Sequence, residues 1–277
     1  MRVKSGCSRT MVTGMLGALA ACGDAARTKA IAPADVQVTV RTGAITAPDS
    51  VRPGWTRVRV EEAEDAHIVV VFRLPATTTP GEVTAFVAAL DTAPGTPRPG
   101  VAIGGPEVGA RGDVVVHLTP GVYVLACVRR GDDGHRHAST GESTVLQVRS
   151  ATAADSAFAA PPPSTQAVRL VDFAFVGPDH WAPGAQLLRI ENTGKQDHQL
   201  RLARLRDGAS LQAWMAADDP DAVATTVAGM ARVGSGEVAY LPVDVTPGTY
   251  IAYCLVADMT TKRPHVALGM LRAIQVP

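Results

Sequence analysis

Net charge is the first thing this chain lacks. Lys plus Arg and Asp plus Glu number 26 each, so the formal charge is zero. Such a balance gives no broad attraction to nucleic acid or to an anionic membrane. Aromatic residues are scarce, at 4%, and charged residues make up only 19%. No Ser-His-Asp grouping, Gly-rich phosphate loop or carboxylate pair stands out, which argues against the commoner hydrolytic and phosphoryl-transfer chemistries. The longest early apolar run, Met11 to Ala20, is too short to cross a bilayer as a stable anchor. What is plentiful is Gly, Pro, Val, Ala and Thr, a mixture that favours strands and turns over long helices. At 277 residues the chain is long enough for two ordinary domains.

The start of the chain reads as a targeting signal. Arg2, Lys4 and Arg9 precede the apolar run, which ends in Leu19-Ala20-Ala21-Cys22. That ending resembles a bacterial lipobox. The resemblance implies a signal peptide over residues 1–21, a lipidated Cys22, and a place in the cell envelope facing the periplasm or the exterior. The only membrane contact expected is the lipid anchor. With Cys7 in the leader and Cys22 lipidated, two thiols remain, Cys127 and Cys254. A disulfide between them is disfavoured, because each stands at the same place in its own repeat.

That repeat organises the rest. One half runs Pro53-Gly54, WTRVRVEE, His67, Pro120-Gly121-Val122-Tyr123, Cys127, His137, Gly141. The other runs Pro183-Gly184, AQLLRIEN, His198, Pro247-Gly248-Thr249-Tyr250, Cys254, His265, Gly269. A period of about 130 residues is that of a duplicated domain, not of a solenoid unit. The expected layout is a tether over residues 22–34, a first domain over 35–150, an Ala/Pro/Ser linker over 151–165 that is semi-rigid, and a second domain over 166–277. Short alternating runs between Pro and Gly turns predict an all-β fold of two Greek-key sandwiches. Strands are expected near Ala167–Phe175, Gln199–Ala203 and Thr249–Leu255, among others. Each half carries a short helical insertion, Pro80 to Ala89 and Ala209 to Ala217, the latter with Leu211, Trp214 and Met215 on one face.

Four residues of the second half carry the chemistry. Tyr250 and Cys254 share a strand face. After Cys254 comes a loop of ten residues, then His265, and after four more residues Met270. A thiol, an imidazole and a thioether are soft or borderline donors that suit copper better than a hard cation. A trigonal two-His, one-Cys site needs one more imidazole, and His198, after the Asn192-Thr193-Gly194 turn, is the candidate.

Together, GTYIAYC, His-x4-Met and the upstream NTG-x3-H resemble the cupredoxins, the small blue-copper β-sandwiches. The resemblance implies one copper in the second domain, held by His198, Cys254, His265 and Met270, and an electron-transfer role with a redox partner protein. It also implies that His265 lies near the surface as the electron port. In the first half His67, Cys127 and His137 match, with His135 as a competing choice, but Glu142 stands where the thioether is expected. That half is therefore read as a degenerate domain, or as a weaker second metal site. In multicopper oxidases and nitrite reductases a His directly precedes the type 1 Cys; here Ala126 and Tyr253 do. An electron carrier or binding protein is expected, not an enzyme. The competing expectation is a metal-free cupredoxin-like module with a binding or structural role in the envelope.

Overall fold

The computed structural model of the chain describes residues 32–62, 67–92, 99–107 and 111–277. The expected leader and Cys22 lie outside them. The described residues form seventeen strands and two α-helices. The first half contains β1 (Ala34–Arg41), β2 (Ala44–Thr46), β3 (Ser50–Val51), β4 (Gly54–Glu62), β5 (Val69–Arg73), helix α1 (Pro80–Ala89), β6 (Val101–Ala102), β7 (Arg111–Leu118), β8 (Gly121–Cys127) and β9 (Ser143–Val148). The second contains β10 (Gln166–Val171), β11 (Ala174–Val176), β12 (Gly184–Asn192), β13 (His198–Leu205), helix α2 (Leu211–Ala216), β14 (Ala224–Val233), β15 (Val238–Val245), β16 (Gly248–Tyr253) and β17 (Leu271–Val276).

The same pairings occur in both halves. β1 lies parallel to β4, and β10 to β12; β4 is antiparallel to β7, and β12 to β15. Across the sandwich, β8 sits between β5 and β9, and β16 between β13 and β17. Each half also has one tyrosine whose hydroxyl closes on the turn before its own strand. Tyr123 accepts from the Thr119 N–H and Tyr250 from the Thr246 N–H, both at 2.9 Å. Alternation drives the layering: Val36, Val38 and Val40 of β1 and Leu188 and Ile190 of β12 point inward, with charged or polar residues between them.

Strands β5, β8 and β16 are buried on both faces, and the reason is the helical insertions. One face meets the central core. The other lies under α1, through Phe86 and Leu90, or under α2, through Trp214. Thr79 and Glu82 form a capping box at the start of α1. Helix α2 differs from expectation in one respect: Trp214 is buried against Tyr253, but Met215 points to solvent. The stretch 167–175 is also not one strand. It is two, β10 and β11, folded over a turn at Asp172-Phe173.

The halves are joined in both layers. β15 pairs with β7 through Ala239–Val116 and Tyr240–Val115, making one eight-stranded sheet that runs through both halves. In the other layer, residues 101–107 lie between β5 and β14. Ile103 N–H donates to Val71 O (2.9 Å), and Gly104 N–H donates to Arg232 O (2.9 Å). Gly105 O then accepts from Ala231 N–H at 2.7 Å. The segment 151–165 is docked as well: Arg149 forms a two-pronged pair with Asp155, and the Arg52 guanidinium stacks on Phe158.

Gly105 sits at the tightest point of this seam, where a Cβ would come within 1.9 Å of the Val69 carbonyl oxygen. Gly105→Ala is expected to cost about 1–3 kcal/mol of stability through overpacking. A urea unfolding midpoint unchanged from wild type would show that the close packing of this segment against β5 contributes nothing to stability.

Candidate metal centre

The site in the second half is assembled by three elements. Asn192 ends β12 and is fully buried; its amide donates to the Gln196 and Val233 carbonyls at 2.7 Å each, and its oxygen accepts the Gly194 N–H at 2.9 Å. This Asx turn delivers His198 to the first position of β13. Gly194 has to be glycine here, because a Cβ would lie 2.7 Å from His198 Nε2 and 2.5 Å from Asp172 Oδ1. Cys254 follows directly on β16, the strand paired with β13.

His265 returns to Cys254 across the ten-residue loop because the loop folds on itself. Ala257 and Pro264 form an isolated bridge, and inside it Asp258 accepts from the Thr261 N–H and hydroxyl at 2.6 and 2.7 Å. Below the bridge, His265 N–H donates to Val256 O and Val266 N–H to Cys254 O, both at 2.8 Å. The excursion is thereby pinched off, and the imidazole re-enters beside the thiol. Gln196 fastens the hairpin to the His198 loop: its Nε2 donates to Asp258 Oδ1 and its Oε1 accepts the Met259 N–H, both at 2.8 Å.

The result is a convergence. His198, Cys254 and His265 each offer a donor atom, all within 4.8 Å of one another, and all three residues are 0% exposed. The two Nδ1 atoms are 3.0 Å apart, and Cys254 Sγ lies 3.5 Å from His265 Nδ1. Donors about 2.0 Å (nitrogen) and about 2.3 Å (sulfur) from one centre stand about 3–3.8 Å apart, so the spacing fits a metal. His198 Nε2 is 3.0 Å from Asp172 Oδ1; a carboxylate only accepts, so the proton sits on Nε2 and the Nδ1 lone pair faces inward. Gln199 N–H donates to Cys254 Sγ at 3.4 Å. Met270 is fully buried in the same core; its N–H donates to His265 O (2.9 Å) and its carbonyl accepts the Cys254 N–H (3.3 Å).

Burial sets the protonation states. It pushes the Cys254 thiol up to about 12, so a metal must displace a proton to bind there. Burial, with His198 as a second cause, pulls His265 down to about 4, and burial also lowers His198 against the pull of Asp172. Both imidazoles therefore stand neutral and ready to coordinate at neutral pH. Burial alone would raise Asp172, but N–H donors from His198, Lys195 and Gln196 outweigh it and hold the carboxyl below its usual range.

His265 is not the surface group that the resemblance implied. The ring of Phe173 lies over it, with centroids 5.1 Å apart at 74°. Phe173 takes φ 65°, a left-handed conformation unusual for a bulky side chain, in the turn where the first half has Gly43 at φ 79°.

In the first half, His67, Cys127 and His137 converge too, and Glu142 joins them. His135 does not: it is exposed and faces Asp91 at 3.4 Å. Both thiols are free, as the repeat implied. Asp172, Phe173 and Gln199 escaped sequence reasoning. An Asp inside an apparent strand was the signal for the turn.

One more residue reaches the second site from the first half. Glu107 is buried, receives the Gln199 amide at 2.9 and 2.8 Å, and pairs with Arg201 at 3.2 Å. Burial raises its carboxyl to about 7 despite the pull of Arg201. A carboxyl raised above its unfolded value of 4.5 contributes stability that is complete below pH 4.5 and lost as pH climbs through about 7. The stability of the wild type relative to Glu107→Gln should fall over that window in urea titrations at stepped pH. A pH-independent difference would contradict the buried carboxyl's role.

No family model and no curated protein matches the chain. Among solved structures it is similar to auracyanin A, a "blue" copper protein from Chloroflexus aurantiacus, at 15% identity and a TM-score of 0.27, over 40% of this chain and 96% of that one. It is similar to the blue copper oxidase of Nitrosomonas europaea at 14% identity and TM-score 0.24, over 87% and 85% of the two chains. It is also similar to the copper nitrite reductase of Nitrosomonas europaea at 13% identity and TM-score 0.26, over 89% and 94%. The described residues are mainly β, with the same strand pairings in both halves, and each half gathers a histidine–cysteine–histidine group.

Proposed function

We propose that the second half binds one copper ion through His198, Cys254 and His265, with Met270 as a weak fourth ligand, and that the protein is an electron carrier. The observation that carries this reading is the convergence of two neutral imidazole Nδ1 atoms and one thiol in a fully buried pocket. When bound, copper supplies a one-electron couple. The chain's own residues do the rest. Asp172 fixes the His198 tautomer, Gln199 N–H stabilises negative charge on the sulfur, and the closed loop keeps the donors in place so that little has to move. A carrier is favoured over an oxidase or reductase because neither cysteine is preceded by a histidine that could lead to a second centre. Export, a lipid on Cys22 and an envelope location belong to the same reading. Among the described residues no helix is long and apolar enough to cross a membrane. The redox partner is read as another protein, meeting the face that Phe173 covers.

Addition of Cu(II) to the metal-free chain is expected to give an intense visible sulfur-to-metal band that Cys254→Ser removes. No band in wild type would sink the copper reading and favour a metal-free module.

Phe173→Asn keeps a residue that tolerates positive φ but removes the ring from His265. Electron exchange with a small soluble oxidant, followed by stopped flow, should accelerate severalfold, with the visible band little changed. An unaltered rate would mean that electrons leave by another route.

A further inference from the structure

The first half builds its donor group on the same backbone circuit as the second, with one different side chain. Cys127 N–H donates to Glu142 O (3.0 Å) and Glu142 N–H to His137 O (2.9 Å), as Cys254, Met270 and His265 do in the second half. Glu142 thus stands in the place of Met270. Its Oε2 lies 2.8 Å from His67 Nδ1 and 3.1 Å from His137 Nδ1, and Cys127 Sγ lies 3.6 Å from His67 Nδ1. The other carboxylate oxygen accepts the Gly43 N–H at 3.2 Å, which turns Oε2 toward the imidazoles. His67, Cys127 and Glu142 are buried, and all four residues offer donor atoms within 4.8 Å of one another.

We propose that His67, Cys127, His137 and Glu142 form a second metal site, selective for a divalent ion of the zinc class and distinct in chemistry from the site in the second half. Charge decides the selectivity. Two neutral imidazoles, a thiolate and a carboxylate carry −2, which a divalent ion neutralises. Two imidazoles, a thiolate and a thioether carry −1, which Cu(I) neutralises and Cu(II) leaves positive. Uncompensated charge is costly in a buried pocket, so the Glu142 set holds an ion in its +2 state. Each of the four N, S and O donors is of a kind that binds zinc, and four is the coordination number of a closed zinc site. Access differs too: the His137 side chain is 21% exposed, whereas His265 is 0% exposed.

The test uses the full chain carrying Cys254→Ser, so that it stands or falls apart from the copper reading of the second half. The metal-free protein is titrated with Co²⁺ and then with Zn²⁺. One equivalent of Co²⁺ with a near-ultraviolet thiolate band, displaced by Zn²⁺, is expected. Adding Cys127→Ser should abolish the band, and adding Glu142→Gln should weaken Zn²⁺ affinity about tenfold or more. Glu142→Met should shift preference from Zn²⁺ toward Cu(I). If Cys254→Ser does not fold by circular dichroism, the wild-type chain serves: Cys127→Ser must then remove a Co²⁺–thiolate band from it. A folded protein that binds no Co²⁺ through Cys127, or Glu142→Gln with undiminished affinity, would overturn the proposal in favour of a metal-free carboxylate–imidazole pair.

Discussion

A short circuit of backbone hydrogen bonds is what both candidate sites depend on. The N–H of the cysteine reaches the carbonyl of the residue that opens the last strand, and that residue's own N–H reaches back to the second histidine. These bonds make the distance between thiol and imidazole a property of the main chain, not of loop length. A loop of ten residues can therefore deliver the same geometry as a short one, provided the excess is closed off, as it is at Ala257 and Pro264. Side chains then differentiate the two copies. One circuit displays a thioether and the other a carboxylate, and the electrostatic character of the pockets diverges from that single exchange.

Around this circuit the structure withholds water. Both faces of β8 and β16 are covered, one by the shared core and one by a helical insertion, so each cysteine lies in a dry layer. Desolvation keeps the thiols protonated until something displaces the proton and keeps the imidazoles of the second half neutral. Phe173 completes the enclosure. It holds a backbone conformation that Gly43 occupies at no steric cost in the other copy, and such conformations persist where the surrounding contacts over-determine them.

Much of this was legible in the residues. The ordered repeat of Pro-Gly, Tyr, Cys, His and Gly marks positions where turn chemistry, strand parity and side-chain type all constrain identity, so the converging His-Cys-His residues could be picked out by register, but for the choice between His135 and His137 in the first half. What was hidden is of another kind. Asp172 lies 26 residues from His198 and meets it only because a strand doubles back, and alternating hydrophobicity cannot reveal a two-residue turn that keeps the alternation going. Burial of His265 depends on the same turn. Sequence spacing likewise says nothing of how the halves join, since β7 and β15 meet through only two residue pairs whose apolar character suits any sandwich. His135 competed with His137 on spacing; the distinction is that His137 follows the closing bridge between Arg130 and Arg136 while His135 lies inside the excursion that the bridge closes.

The seam has a practical consequence for anyone dissecting the molecule. Cutting in the Ala/Pro/Ser stretch would leave β15 as a bare edge with unpaired amides, an invitation to associate with other chains. The isolated C-terminal piece would also lose Glu107, freeing the Gln199 side chain and loosening the residue whose N–H lies against the Cys254 sulfur. Measurements on such a fragment would describe a different environment of the Cys254 sulfur from that of the intact pair.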